Sequence, residues 1–153
     1  MYGESWIWDE SRGEEVRTFL WIVIAAVVIY FFSVLGHCKQ AHAATLTIDL
    51  MSRSFTLADD GSIIRTGPIS AARKGMVTPK GMFKVHVKQI NGYSRKYHAP
   101  MPYSVFFNRN IAAHAGYIPA NRAGTSHGCV HLTGGDAKFV YEKIRVGDIV
   151  SVQ

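Results

Sequence analysis

Two cysteines in 153 residues are too few for a disulfide-stapled scaffold. No internal repeat and no low-complexity tract is present, which excludes a solenoid or a tether. Lys and Arg number 17 against 11 Asp and Glu, yet the basic residues (Arg53, Lys74, Lys84, Lys96, Arg122, Lys143) are scattered and form no single run. A nucleic-acid-binding stripe therefore finds no support, and a basic domain of this kind better suits an anionic wall or membrane surface. Length allows one domain rather than two.

Charge is absent altogether between Arg17 and Lys39. Residues 18–36 read TFLWIVIAAVVIYFFSVLG, a run long enough to cross a bilayer core as a helix. Two readings follow. In one the segment is a signal-peptide core, with Ala41-His42-Ala43 as a small-x-small cleavage site. In the other it is an uncleaved anchor, which the length of the run favours. Lys and Arg number two on each side (Arg12 and Arg17; Lys39 and Arg53), so the positive-inside rule leaves orientation open. Cys38 follows His37, where a lipoprotein signal needs a small residue. The expected organisation is a tail (1–17), an anchor or signal core (18–38), a linker or cleavage site (39–43) and one exported domain (44–153). That domain holds a single cysteine, Cys129. A lone thiol in an oxidising compartment is a liability unless it has a task.

Strand signals dominate the domain. Residues 45–50 and 54–57 alternate, and Asp59-Asp60-Gly61 makes a turn. Residues 65–70 contain Gly67-Pro68 and predict an irregular or edge strand. Strands are also predicted over 82–87, 103–107, 110–114 and 148–152, with turns at 78–81 and at Asn91-Gly92. Ala137, Val140, Tyr141 and Ile144 recur at helical spacing, and Thr133 with Asp136 predicts a capping box. The expected fold is mainly β, a small barrel or sandwich with one or two short helices.

Chemistry concentrates in Ser126-His127-Gly128-Cys129-Val130-His131-Leu132, with His114 twelve residues before Ser126. A free thiol ionises with a pKa near ~8.5, so a nearby imidazole is needed to make it a nucleophile at neutral pH. Gly128 allows unusual torsions, and the N–H groups of Gly128 and Cys129 are candidates to face a developing oxyanion. Two other readings compete. Cys129 could be an inert core thiol, or His127, Cys129 and His131 could share one face of a strand and bind zinc with His114.

The segment resembles the signature of the L,D-transpeptidase (YkuD-type) catalytic domain: an upstream histidine, a spacer, then Ser-His-Gly-Cys and an aliphatic residue. Pro68-Ile69-Ser70, the run from Thr78 to Phe83, Met101-Pro102-Tyr103 and Gly147-Asp148-Ile149-Val150 are similar to further landmarks of that family, in the same order. The resemblance implies a β-rich fold with the cysteine and histidines in one groove, and no metal or cofactor. It implies attack on the stem-peptide amide between a diamino acid at position three and D-alanine at position four, through a thioester. The acceptor is an amine of another stem peptide or of an envelope protein.

By position, the resemblance makes Cys129 the nucleophile and His114 the general base, oriented by the Ala115 carbonyl. His127 assists electrostatically. Ser126 positions His127 or satisfies backbone groups, His131 takes a substrate-side position, and Tyr103 contacts substrate or packs. The sequence departs from the family at His131, where arginine is common, at Ala115, where glycine or serine is common, and in a short spacer of eleven residues. Alternatives are a carboxypeptidase or amidase acting through the same thioester, and a non-catalytic wall-binding or zinc-binding module. The expected location is the extracytoplasmic side of the cell envelope, membrane-anchored or secreted. Stem peptides and the membrane are the expected partners, and nucleic acid is not.

Overall fold

A computed structural model describes residues 11–35 and 44–153, which fall in two units, 1–41 and 42–153. In the first, helix α1 (Ser11–Leu35) takes in most of the apolar segment. Its described side chains are nearly all large and apolar, and Phe19, Trp21, Ile29 and Tyr30 are exposed. Among the described residues no helix is long and apolar enough to cross a membrane. The end of the 18–38 segment and the 39–43 linker with its cleavage motif lie outside the described residues.

Among its described residues the second unit has nine strands and one helix. These are β1 (Ala44–Asp49), β2 (Ser54–Asp59), β3 (Ser62–Pro68), β4 (Gly81–Lys84), β5 (Val87–Ser94), β6 (Ala99–Asn108), β7 (Ile111–Ala115), β8 (Val130–Leu132), α2 (Gly134–Lys143) and β9 (Ile149–Val152). One sheet runs β3-β2-β1-β9-β4 and the other β5-β6-β7-β8. Alternation decides which faces are buried. In β1, Ala44, Leu46 and Ile48 are buried while Thr45, Thr47 and Asp49 are not. Register then aligns the apolar side chains. Leu46 pairs with Leu57 of β2 and Val150 of β9, and Ile48 with Phe55 and Val152. These side chains join Val105, Ala113, Val130 and Leu132 of the second sheet in one core.

Helix α2 packs on β6 and β7. Thr133 caps it: its Oγ1 accepts from Asp136 N at 3.2 Å and donates to Asp136 Oδ2 at 2.7 Å. Arg65 of β3 closes on the same carboxylate, with Nη2 2.7 Å from Oδ1. The capping motif read from Thr133 and Asp136 thus also ties the edge strand to the helix. Strand β3 lies at the edge of its sheet, where its terminal Pro68 costs no inner ladder bond.

Two expectations need correction, and one strand had no expectation. The predicted strand 82–87 is two strands in different sheets. Val85 N donates to Asp148 O of the first sheet's final turn at 2.9 Å, and His86 N to Phe106 O of β6 at 3.0 Å, so these two residues carry the chain across. Asn91-Gly92 is not a turn but lies within β5, paired with Pro102 and Met101. Glycine is required there by closeness, since a Cβ on Gly92 would meet Ser104 Oγ at 2.5 Å and Met101 O at 2.7 Å. The reversal comes later, over residues 95–98, where His98 takes a φ of 49°. Strand β8 was not foreseen, being only three residues long.

Candidate active site

Strands β7 and β8 run parallel, with Ala113 opposite Val130 and His114 opposite His131. Successive side chains of a strand point to opposite faces. Ala113, Val130 and Leu132 enter the core, so His114, His131 and the preceding Cys129 turn to the other face. All three line one groove of about 960 Å³.

The crossover between β7 and β8 must return the chain to the same end of the sheet, and the segment around residues 70–78 holds it there. Ser126 N donates to Ala71 O and Arg73 N to Ser126 O, at 3.1 and 3.0 Å. Ser70 Oγ donates to Ala123 O at 2.7 Å. Thr78 Oγ1 donates to Gly128 O at 2.9 Å and accepts from Ala72 N at 3.2 Å. Gly128 has a φ of 140°, and a Cβ there would meet Val77 O at 3.2 Å. The chain can make this turn into Cys129 only with glycine.

Ser126 closes the turn. Its Oγ accepts from Gly128 N at 3.0 Å and donates to Cys129 O at 2.5 Å. Of the two roles open to Ser126, satisfying backbone groups is the one its contacts match. The Gly128 N–H is thereby engaged, which removes one of the two amides read from the sequence as oxyanion donors and leaves that of Cys129.

His114 is buried, and its Nδ1–H donates to the Ala115 carbonyl at 2.8 Å. The unprotonated nitrogen is therefore Nε2. Burial pushes the imidazole down to about 4, against a smaller opposing effect of the Ala115 bond. The His131 ring meets the His114 ring edge-on, with centroids 4.9 Å apart. His131 Nδ1 donates to Tyr117 O at 3.2 Å and lies 3.0 Å from Thr125 Oγ1, and burial lowers its pKa also. The Cys129 thiol is raised by burial, partly offset by a backbone hydrogen bond from Ala112. Its Sγ lies 4.0 Å from Asn110 O. At rest, then, the site holds a thiol beside neutral imidazoles, not a preformed ion pair.

His127 lines the same groove but is held by other partners. It precedes the turn at Gly128, its ring stacks on Tyr97 at 3.9 Å, and its Nε2 accepts from Arg73 Nη2 at 2.7 Å. The zinc reading required residues 127, 129 and 131 on one strand face, but the strand begins at Val130. Among the described residues no three His, Cys, Asp or Glu side chains are grouped to hold a metal ion. Tyr103 does not line the groove. It packs against the core with its ring edge-on to Tyr141 of α2, 5.9 Å between centroids. Arg73, Thr78, Tyr97, Asn110, Tyr117 and Thr125 support the site without having been singled out for it. Of these only Thr78 fell in a run that the resemblance marked.

A thiol of this kind alkylates slowly at neutral pH. Iodoacetamide labelling at Cys129, followed by mass on its own peptide, is expected to stay slow through pH 7 and to accelerate only above about 8.5, the ordinary thiol value. A rate already at its plateau at pH 6 would contradict a resting thiol.

Residues 43–152 match the family model of the YkuD L,D-transpeptidase catalytic domain. Among solved structures, the L,D-transpeptidase from Stackebrandtia nassauensis is 30% identical with a TM-score of 0.68, the match covering 77% of this chain and 59% of that one. L,D-transpeptidase 3 from Mycobacterium tuberculosis, in complex with a faropenem-derived adduct, is 25% identical at 0.66, over 73% and 60%. The Mycobacterium smegmatis L,D-transpeptidase is 24% identical at 0.67, over 73% and 59%, which is a likeness of fold alone. The chain spans about three-fifths of the length of these structures. No curated protein matches it in sequence. With the match extending over almost the whole second unit, this chain belongs to the L,D-transpeptidase catalytic domain (YkuD) family.

Proposed function

We propose that the chain is a peptidoglycan L,D-transpeptidase that works through a thioester on Cys129. The observation that carries this is the common face of Cys129, His114 and His131 in one groove, with Nδ1 of His114 bound to the Ala115 carbonyl and Nε2 left as the basic nitrogen. His114 Nε2 takes the thiol proton as Sγ attacks the carbonyl carbon of the amide between positions three and four. The Cys129 N–H faces the developing oxyanion. The same proton passes to the departing nitrogen, D-alanine leaves, and the acyl group stays on Sγ. An acceptor amine then attacks the thioester, loses its proton to Nε2, and Sγ departs with that proton. Water in place of the amine gives the hydrolytic variant of the reaction.

His131 has a bracing role here. Its ring backs that of His114 and is held by Tyr117 and Thr125. His127, bound to Arg73 and covered by Tyr97, shapes the groove wall before the nucleophile. A substrate found only in the envelope places residues 44–153 outside the cytoplasmic membrane. The uncharged segment of residues 18–38 is the means of export or anchoring in this reading. An envelope protein is a second class of acceptor.

A relative carries a faropenem-derived adduct, so faropenem is the acylating probe of choice. Intact mass should show one adduct on the wild-type chain and none on Cys129→Ala. An adduct surviving on that variant would remove Cys129 from its role.

In single-turnover acylation, His114→Ala should lose about 10²–10⁴-fold, the usual contribution of a general base. His131→Ala, which leaves Nε2 of His114 in place, should lose far less. Equal losses in the two variants would contradict the division of roles.

A further inference from the structure

The groove is one-sided in charge. Arg95, Lys96 and Arg109 line it, and among the described residues no Asp or Glu does. Two of its histidines, His114 and His131, are held neutral by burial, so they add no positive charge at neutral pH. The cations sit on two segments that line the groove with Cys129. Arg109 precedes Asn110, whose carbonyl lies 4.0 Å from Cys129 Sγ, and its backbone is held by His86 Nε2, which donates to Arg109 O at 3.1 Å. Arg95 and Lys96 precede Tyr97, whose ring stacks on His127, two residues from Cys129. Lys96 Nζ sits over the Tyr97 ring, 5.3 Å from its centroid.

Resting on the peptidoglycan reading, we infer that Arg95, Lys96 and Arg109 select stem peptides whose carboxyls near the scissile amide are free over those in which they are amidated. A free carboxylate accepts charge-assisted hydrogen bonds from guanidinium and ammonium groups, and a carboxamide has no charge to offer them. Among the described residues no acidic side chain lines the groove to compete for these cations. Loss of one hydrogen bond to a charged group corresponds to about tenfold or more in binding.

The test uses two tetrapeptides with D-alanine at position four. They differ only in whether the carboxyls at positions two and three that are not in the chain are free or carboxamides. D-Alanine release by the full chain gives kcat/KM for each. The free-acid peptide is expected to be favoured about tenfold at low salt. The preference should shrink near about 1 M salt, where screening acts within ~3 Å. The triple variant R95Q/K96Q/R109Q should bring the ratio close to one. Lys138→Gln, a charge change on α2 where Lys138 pairs with Glu142, should leave the ratio as it is. Equal use of the two peptides by the wild-type chain, or a preference that survives the triple variant, would overturn the inference. Failure to release D-alanine from either peptide, with Cys129 still open to alkylation, would instead overturn the peptidoglycan reading, and this inference with it.

Discussion

In the parallel pairing of β7 with β8, the buried faces of the two strands are fixed by Ala113, Val130 and Leu132. Those apolar residues leave the intervening positions no choice of side. His114, His131 and Cys129 emerge together because a slip of one residue would drive all three into the core and expose the apolar set. The crossover needed by a parallel pair then explains the rest of the site. It has to be pinned along its length, and Ser70, Ala71, Arg73 and Thr78 pin it through backbone and hydroxyl bonds. The turn at Gly128 delivers Cys129 to the start of β8.

Burial sets the electrical state of this face. It works against every charge the groups could carry, raising the thiol and lowering both imidazoles. His114 then burdens the fold in acid. Its folded value, about 4, lies below the ordinary 6.5, so between the two the unfolded chain binds the extra proton. Stability is complete above the unfolded value and falls as pH drops through the folded one, by about 3 kcal/mol for such a shift. The same neutrality keeps Nε2 available as a base at the pH where amide attack is needed. The positive charge of the groove lies instead on exposed side chains at the ends of β6, where solvation makes it cheap to keep.

Much of this was legible in the sequence. Alternation exposed β1, β2 and β9 because each buries one face only, and the Thr133–Asp136 spacing exposed α2 because a cap is a local signal. The motif around Cys129 with His114 upstream was also readable, since its residue types are rare together. Features set by distant contacts were not readable. Asn91-Gly92 has turn composition, yet the approach of Ser104 and Met101 is what requires its glycine. The periodicity of residues 82–87 runs unbroken through a change of sheet. Tyr97 and Arg73 carry no local mark, because their role comes from meeting His127 across 30 and 54 residues. His127, Cys129 and His131 look equivalent by spacing, but only His131 lies in β8, and His127, before the turn at Gly128, takes its partners from Tyr97 and Arg73.

The account stands on a neutral His114 whose Nδ1 is tied to the Ala115 carbonyl and whose Nε2 is free to take the thiol proton. Titration of the ¹⁵N-labelled histidine rings by NMR reads this state directly in the resting protein. His114 is expected to show the Nδ1–H form across neutral pH and to protonate with a midpoint near 4. An imidazolium at pH 7, or a neutral ring carrying its proton on Nε2, would contradict the account.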